Sequence, residues 1–316
     1  KMSSSARIRL RLAMSRLLTT LGLTAGLVLL LTLPVAGESV RQPVLAAIIQ
    51  YRVQEPDRVG VDADRLEAFI REAASRGAKI VVTPETTFYR LGVWEHNGVT
   101  QLELAKQYDA LVRRFGALSK ALRICLVIGL RKPSGDASLP VYNVAVFFGP
   151  DGTVLKEHQK IFLCDDEAGF TKGGSVTKNV QVFATPLGKV GMLICKDMDE
   201  NFLPQVLVAK GMELFIGINA DPGTGTPGRG WQKVYPACAL FGACYGIGAN
   251  QIGANSGSFF NGGSGFVAPN KEVLSAAGYN GIANDEQILY QTLLLPCSSS
   301  WCTPSFNPAV LYLLLE

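Results

Sequence analysis

The chain has 316 residues, 48% hydrophobic and 18% charged, enough apolar material for a sizeable core and too much for a disordered chain. Its net charge of +4 is concentrated at the amino terminus: Lys1, Arg7, Arg9, Arg11 and Arg16 precede any acidic residue, leaving 25 of the 30 basic side chains against 26 acidic ones. A near-neutral body carries no footprint for nucleic acid. Two histidines without a C-x-x-C pair, and no G-x-S-x-G turn, also argue against a histidine-rich zinc site and a serine-hydrolase elbow.

Behind those arginines, residues 17–36 form an uncharged run of 20. That length just reaches a membrane-spanning helix. Its most apolar part, 21–33, is followed by Pro34, Ala36 and Gly37 in the manner of a cleaved signal peptide, and a start at Met14 would shorten the basic leader. Signal peptide (1–37), retained anchor and buried core helix are the three readings. Under the first two, the arginines stay cytoplasmic and the body is expected outside the cytosol, either secreted or periplasmic, or membrane-anchored.

Over 44–296, short apolar runs alternate with amphipathic stretches, which indicates one α/β domain. Strands at 44–50 and 79–83 bracket a helix over 57–76, with Val61, Leu66, Phe69, Ile70 and Ala73 on one face and Gly77 as its stop. A helix over 102–122 aligns Leu104, Tyr108, Leu111, Phe115 and Leu118. Strands follow at 123–129 and 141–148, the second closed by Gly149-Pro150-Asp151-Gly152. A strand over 190–195, a helix near 202–210, a strand at 213–218, a helix over 232–244 and a strand at 247–251 complete the alternation. The run Gly223-Thr-Gly225-Thr-Pro-Gly228 has dinucleotide-type spacing, but Pro227 lies inside the turn and no acidic residue follows before Glu272. It reads as a loop.

Residues 297–316 break the pattern and form a carboxy-terminal tail. With Cys195 set aside, Cys125, Cys164, Cys238, Cys244, Cys297 and Cys302 would allow up to three bridges. Cys125, inside a strand, reads as a small core residue, whereas Cys297 and Cys302 are the better disulfide candidates.

Three segments place reactive side chains at strand ends. Glu85 follows Ile80-Val81-Val82-Thr83-Pro84, Lys160 lies in Lys156-Glu157-His158-Gln159-Lys160-Ile161, and Cys195 ends Val190-Gly191-Met192-Leu193-Ile194. Singly, each has a structural reading: a core thiol, a helix-capping carboxylate, a solvated lysine. Together with their flanks they resemble the nitrilase superfamily of carbon–nitrogen hydrolases. The resemblance rests on Pro84-Glu85, Gln159-Lys160-Ile161 and the run from Gly188 through Cys195-Lys196-Asp197. It extends to Gly246-Ile247-Gly248-Ala249-Asn250-Gln251 and Gly262-Gly263-Ser264. Lys196 departs from the pattern, which commonly has an aromatic residue after the nucleophile.

The resemblance implies an αββα sandwich, no metal and no organic cofactor, a small amide or nitrile substrate, and frequent dimers joined through the helical face. It also assigns roles. Cys195 is the nucleophile of a thioester mechanism, Glu85 takes and returns the proton, and Lys160 with the backbone N–H of Lys196 stabilises the oxyanion. Glu167, seven residues after Lys160, is the candidate second glutamate, with Asp166 as substitute and Glu157 solvated. The chemistry suits these types: a thiol is a weak nucleophile until deprotonated, and a cation and an amide dipole offset a developing oxyanion. His158 would share a face with Lys160 in an extended segment, leaving a Cys-His dyad as a second reading. The expected function is hydrolysis of a small amide. A nitrilase, an N-carbamoyl hydrolase or an amide-forming acyltransferase would use the same residues, and a catalytically silent scaffold displayed on a membrane is the rival of another class.

Overall fold

The computed structural model describes residues 42–54, 58–89, 92–222, 228–241, 244–255 and 258–295. The leader readings for 1–37, the tail with Cys297 and Cys302, and residues 223–227 of the glycine-rich run lie outside the described residues. Among the described residues no helix is long and apolar enough to cross a membrane.

In chain order the main strands are β1 (Gln42–Gln50), β2 (Ile80–Val82), β3 (Cys125–Pro133), β4 (Val141–Phe148), β5 (Val154–Gln159), β6 (Phe183–Thr185), β7 (Gly188–Ile194), β8 (Leu214–Asn219), β9 (Tyr245–Asn250), β10 (Gly265–Val267), β11 (Val273–Ala276) and β12 (Gln287–Leu295). They build two six-stranded sheets, ordered β12-β1-β2-β3-β4-β5 and β11-β10-β9-β8-β7-β6. Each sheet has a parallel centre, β1-β2-β3 in one and β7-β8-β9 in the other. Helices force that arrangement, because parallel neighbours need a crossover. Helix α1 (Val59–Ser75) joins β1 to β2 and α2 (Tyr108–Leu122) precedes β3, while α3 (Phe202–Ala209) and α4 (Gly230–Phe241) connect β7, β8 and β9.

Period-two alternation explains why the central strands read as continuous apolar runs. In β1, Ala46 and Ile48 point between the sheets, while Ala47 and Ile49 point at α1 and α2. The inter-sheet layer joins Val82 and Val127 to Met192, Ile194, Ile216 and Ile247. Outside it, Leu66, Ile70 and Phe115 pack on the first sheet, and Leu203, Leu207 and Val234 on the second. Each such buried side chain contributes about 1.5–3 kcal/mol of transfer free energy. The result is the αββα sandwich.

The expected helix over 102–122 is two elements. Thr100 caps the first, Gln101–Ala105, through a reciprocal capping box with Glu103, and α2 begins only at Tyr108. Arg123, expected as the first residue of a strand, is instead the left-handed cap of α2 with φ 54°, and β3 starts at Cys125. The chain must reverse there between a helix axis and a strand. Cys125 is buried between the sheets as expected, and burial pushes its thiol up to about 12. Among the described cysteines, Cys125, Cys164, Cys195, Cys238 and Cys244 are all free thiols, so bridges among Cys125, Cys164, Cys238 and Cys244 are absent.

Candidate active site

The carboxyl ends of the parallel strands from both sheets meet around one cavity of about 470 Å³, lined by Glu85, Lys160, Cys164, Glu167, Cys195 and Lys233 among others. Its size suits a small ligand.

Cys195 is the first residue after β7. The expected strand over 190–195 stops at Ile194, and Cys195 opens a 3₁₀ turn, Cys195–Asp199, with φ +46°. A left-handed conformation at a non-glycine residue costs of order 1–3 kcal/mol and needs support from its surroundings. Asp197 supplies part of that support. Its Oδ2 accepts from the Ile194 amide at 3.3 Å, and its Oδ1 accepts from the Ile161 and Phe162 amides at 2.9 and 2.8 Å. The turn that carries the thiol is thereby tied to the segment just after Lys160.

His158 completes this tie. Its Nε2 lies 2.9 Å from Asp197 Oδ2 in a fully buried contact, and its Nδ1 lies 3.4 Å from the Asn179 carbonyl oxygen. The Cys-His dyad is therefore replaced by a His158–Asp197 pair, in which the ring braces the turn that carries Cys195. Glu157, expected to be solvated, is half-buried: it pairs with Lys132 of β3 at 2.9 Å and accepts from the Tyr108 hydroxyl of α2.

Glu85 follows β2 at the same end of the first sheet. Its Oε1 accepts from Lys160 Nζ at 2.8 Å and Asn143 Nδ2 at 2.7 Å, and its Oε2 accepts from the Ala220 amide at 2.7 Å. Ala220 follows β8, so one carboxylate joins both sheets. Gly129 makes room for its backbone: a Cβ there would lie 2.6 Å from the Thr86 nitrogen. Thr86 itself has φ +41°, a second strained residue beside the site.

Glu167 reaches the same lysine. It forms a short ion pair with Lys160, accepts from Asn143 Nδ2 at 3.2 Å and from the Cys164 amide at 3.3 Å, and lies 3.9 Å from the fully buried Arg131. Burial disfavours the Lys160 ammonium, but Glu85 and Glu167 outweigh it and hold the group well above its ordinary value. Burial likewise opposes ionisation of Glu167, yet Lys160 and Arg131 hold its carboxyl below the usual range. Asp166, the substitute candidate, is exposed at the cavity beside Gly92.

The Lys196 side chain donates to the Leu163 carbonyl oxygen at 2.9 Å, fastening the loop after Lys160, and its backbone amide follows Cys195 directly in the 3₁₀ turn. Lys233, on α4, was not anticipated. Its side chain is only 4% exposed, and its Nζ donates to both Asp199 oxygens at 2.6 Å and lies 3.0 Å from Asp221 Oδ2. Asn143 and Arg131 were also missed. Their signal was Asn143 within the otherwise apolar Val141–Phe148 and Arg131, followed by Lys132, at the end of the apolar part of Cys125–Pro133. Among the described residues no group of three or more His, Cys, Asp or Glu is arranged to hold a metal ion.

The model of the carbon-nitrogen hydrolase family matches residues 45–294, and the chain belongs to that family. It is 30% identical over 257 residues to omega-amidase NIT2 of Danio rerio, covering 77% of this chain and 86% of the relative. It is 29% identical over 207 residues to the bifunctional nitrilase/nitrile hydratase NIT4A of Lupinus angustifolius, covering 60% of this chain but only 56% of that relative. The match thus spans little more than half the length of the plant nitrilase. Among solved structures, an amidase from Nesterenkonia sp. superposes with TM-score 0.68 at 20% identity over 86% of this chain and 96% of its own. A carbon-nitrogen hydrolase from Helicobacter pylori G27 does so with TM-score 0.67 at 19% identity, over 79% and 89%. These likenesses extend to the sandwich fold.

Proposed function

We propose that the chain hydrolyses a small amide, giving a carboxylic acid and an amine or ammonia through a thioester on Cys195. The observation that carries the reading is the convergence of Glu85, Lys160 and Cys195 on one cavity, with Glu85 fixed by three donors.

In this reading Glu85 takes the proton of the Cys195 thiol as sulfur attacks the carbonyl carbon. The sulfur lies in the field of both Glu85 and Lys160. The C–S bond forms and the carbonyl oxygen becomes an oxyanion, offset by the Lys160 ammonium and the Lys196 amide. Glu85 returns its proton to the leaving nitrogen as the C–N bond breaks. Water, deprotonated by the same carboxylate, then attacks the thioester and regenerates the thiol. Positioned proton transfer of this kind contributes roughly 10²–10⁴ in rate. Glu167, with no described contact to Cys195, keeps Lys160 charged and oriented. A covalent addition of an acetamide moiety at the active site cysteine of the Nesterenkonia amidase agrees with a nucleophilic thiol here.

Nitrile hydrolysis is the second reading, favoured by the similarity to plant nitrilases. A panel of amides, nitriles and carbamoyl compounds with ammonia release as readout separates the two. Cys195→Ala removes the nucleophile and little volume, so turnover should vanish while the fold persists. Retention of even a tenth of the wild-type rate would end the thioester reading. The same proposal extends to assembly as a dimer, tested by light scattering, and to a body outside the cytosol. For the latter, intact mass of native soluble and membrane fractions should reveal either an amino terminus near Glu38 or a retained leader in the membrane.

A further inference from the structure

Arg131 stands on β3 with its side chain fully buried, and it is not among the residues that line the catalytic cavity. Alternation along the strand separates it from its neighbour: Lys132 pairs with Glu157 and is 34% exposed. The cross-strand partner of Arg131 is Asn143 of β4, whose side chain donates to both Glu85 and Glu167. Arg131 also meets the segment that carries Glu167. Its Nη1 donates to Thr171 Oγ1 at 3.2 Å, and its guanidinium lies 5.3 Å from the Phe170 ring centre. The Phe170 and Thr171 amides both donate to the Glu167 carbonyl oxygen, at 3.2 and 2.9 Å. Arg131 therefore braces the turn 167–171 from behind, while Cys164, Asp165, Asp166 and Glu167 form the cavity wall in front.

We propose that Arg131 is a positioning residue for the reaction, the counter-charge that keeps Glu167, and through it Lys160, in the working arrangement. This role rests on the hydrolase mechanism proposed above. The two ends of the Glu167 carboxylate divide the work. Its Oε1 accepts from Lys160 and from the Cys164 amide, whereas its Oε2 faces Asn143 and Arg131. The argument is one of charge. Glu85 and Glu167 both pair with Lys160, and two carboxylates against one ammonium leave a buried charge of −1. The Arg131 guanidinium brings the sum to zero. Its Nη2 is 3.9 Å from Glu167 Oε2 and has no hydrogen-bond partner among the described residues, so the charge acts through space. Asp165 and Asp166 are exposed and hydrated, and stand outside this sum. A net charge buried away from water is strongly disfavoured. Without Arg131 the cluster returns to neutrality by taking a proton onto one carboxylate. A proton on Glu167 loosens its hold on Lys160, and a proton on Glu85 removes the base. Either one slows the chemical step and leaves the substrate-lined surface in place.

A double-mutant cycle on the full-length protein tests the proposal, with Arg131→Met and Glu167→Gln made singly and together. Initial rates are read on a compound of the amide and nitrile panel that the wild type turns over, and melting temperatures on the same samples. Arg131→Met alone should lower kcat about tenfold or more and leave KM within about twofold, as for a residue coupled to the site but not touching substrate. Glu167→Gln removes the carboxylate that Arg131 balances. In that background Arg131→Met should lower kcat no further, and the double variant should melt above Arg131→Met. An arginine that only fills space would cost the same factor in both backgrounds, and that result overturns the proposal. Wild-type kcat in Arg131→Met overturns it too. If Arg131→Met does not fold, folding of the double variant supports the counter-charge, and failure of both overturns it. Should the wild type turn over nothing in the panel, the hydrolase reading fails separately. The melting temperatures then decide alone: a loss in Arg131→Met that persists undiminished beside Glu167→Gln overturns the counter-charge, and a loss that disappears there supports it.

Discussion

Two sets of four charges surround Cys195, each with two carboxylates and two cations. Glu85, Glu167, Lys160 and Arg131 are all 4% exposed or less, whereas in the second set, Asp199, Asp221, Arg229 and Lys233, the outer members Asp199 and Arg229 are 46% and 47% exposed. Composition is the same, and depth differs. In the deep set every charge depends on its partners, because water cannot replace them. In the rim set Asp199 can rehydrate when it loses its partner. On the proposed mechanism the deep set holds the base and the oxyanion donor in one geometry, while Asp199 and Arg229 of the rim set can rearrange around a substrate's substituent.

Cutting the deep set should have the largest effect. Lys160→Ala leaves Glu85 and Glu167 buried with one cation fewer, an expected loss of about 3–5 kcal/mol of stability. A variant that folds should also lose at least about 10² in rate. Glu85→Gln keeps the volume and should lose a similar factor in rate with less effect on stability. If thermal unfolding of Lys160→Ala matched the wild type, Lys160 would not be the counter-charge that holds the Glu167 carboxyl below its usual range.

The next effect separates the sets by pH. The Glu167 carboxyl is held below its ordinary value of 4.5, so its stabilisation is present above that value and is lost as pH falls through the lower native one. Lys160 is held above its ordinary 10.5, so its contribution is complete below that and is lost only as pH rises through the higher native value. Melting temperature should therefore be flat between those limits and fall on the acid side. Glu167→Gln should blunt the acid fall. An acid limb of unchanged steepness in that variant would place the sensitive group elsewhere.

These sets were unequally legible in the sequence. Glu85 and Cys195 follow apolar runs and Lys160 follows a polar strand, so each is legible as a strand-end residue. Asn143 and Arg131 are interior to strands, and one polar residue there reads equally as an edge or a solvent-facing position. Only the pairing of β3 and β4 in the first sheet turns them toward Glu85 and Glu167. Lys233 was harder still. Its carboxylate partners come from the turns after β7 and β8, and no spacing within 232–244 announces that. His158 shares a strand face with Lys160 by spacing alone, but its partner Asp197 is two residues past Cys195, a link that exists only once the two sheets stack. The sandwich was legible because alternation and helix spacing are local. The site's inner contacts are not, because they cross between sheets.

Within the rim set, Lys233→Met and Asp199→Asn sharpen the comparison from its weaker side. Lys233 is buried, and its charge acts on Cys195, so its loss should reach kcat through the thiol. Asp199 is half-exposed, and Asp221 remains 3.0 Å from Lys233 when Asp199 is neutralised, so the buried ammonium keeps a carboxylate partner. Replacing Asp199 should therefore leave the melting temperature and kcat close to wild type. What remains is KM: Asp199 lines the cavity, and its negative charge is the part of the rim a substrate can meet. A change in KM for charged but not neutral amides, at constant kcat, is the outcome expected for Asp199→Asn. A fall in kcat equal to that of Lys233→Met would mean that the rim acts as one rigid unit with the thiol, and the contrast between deep and rim charges would not hold.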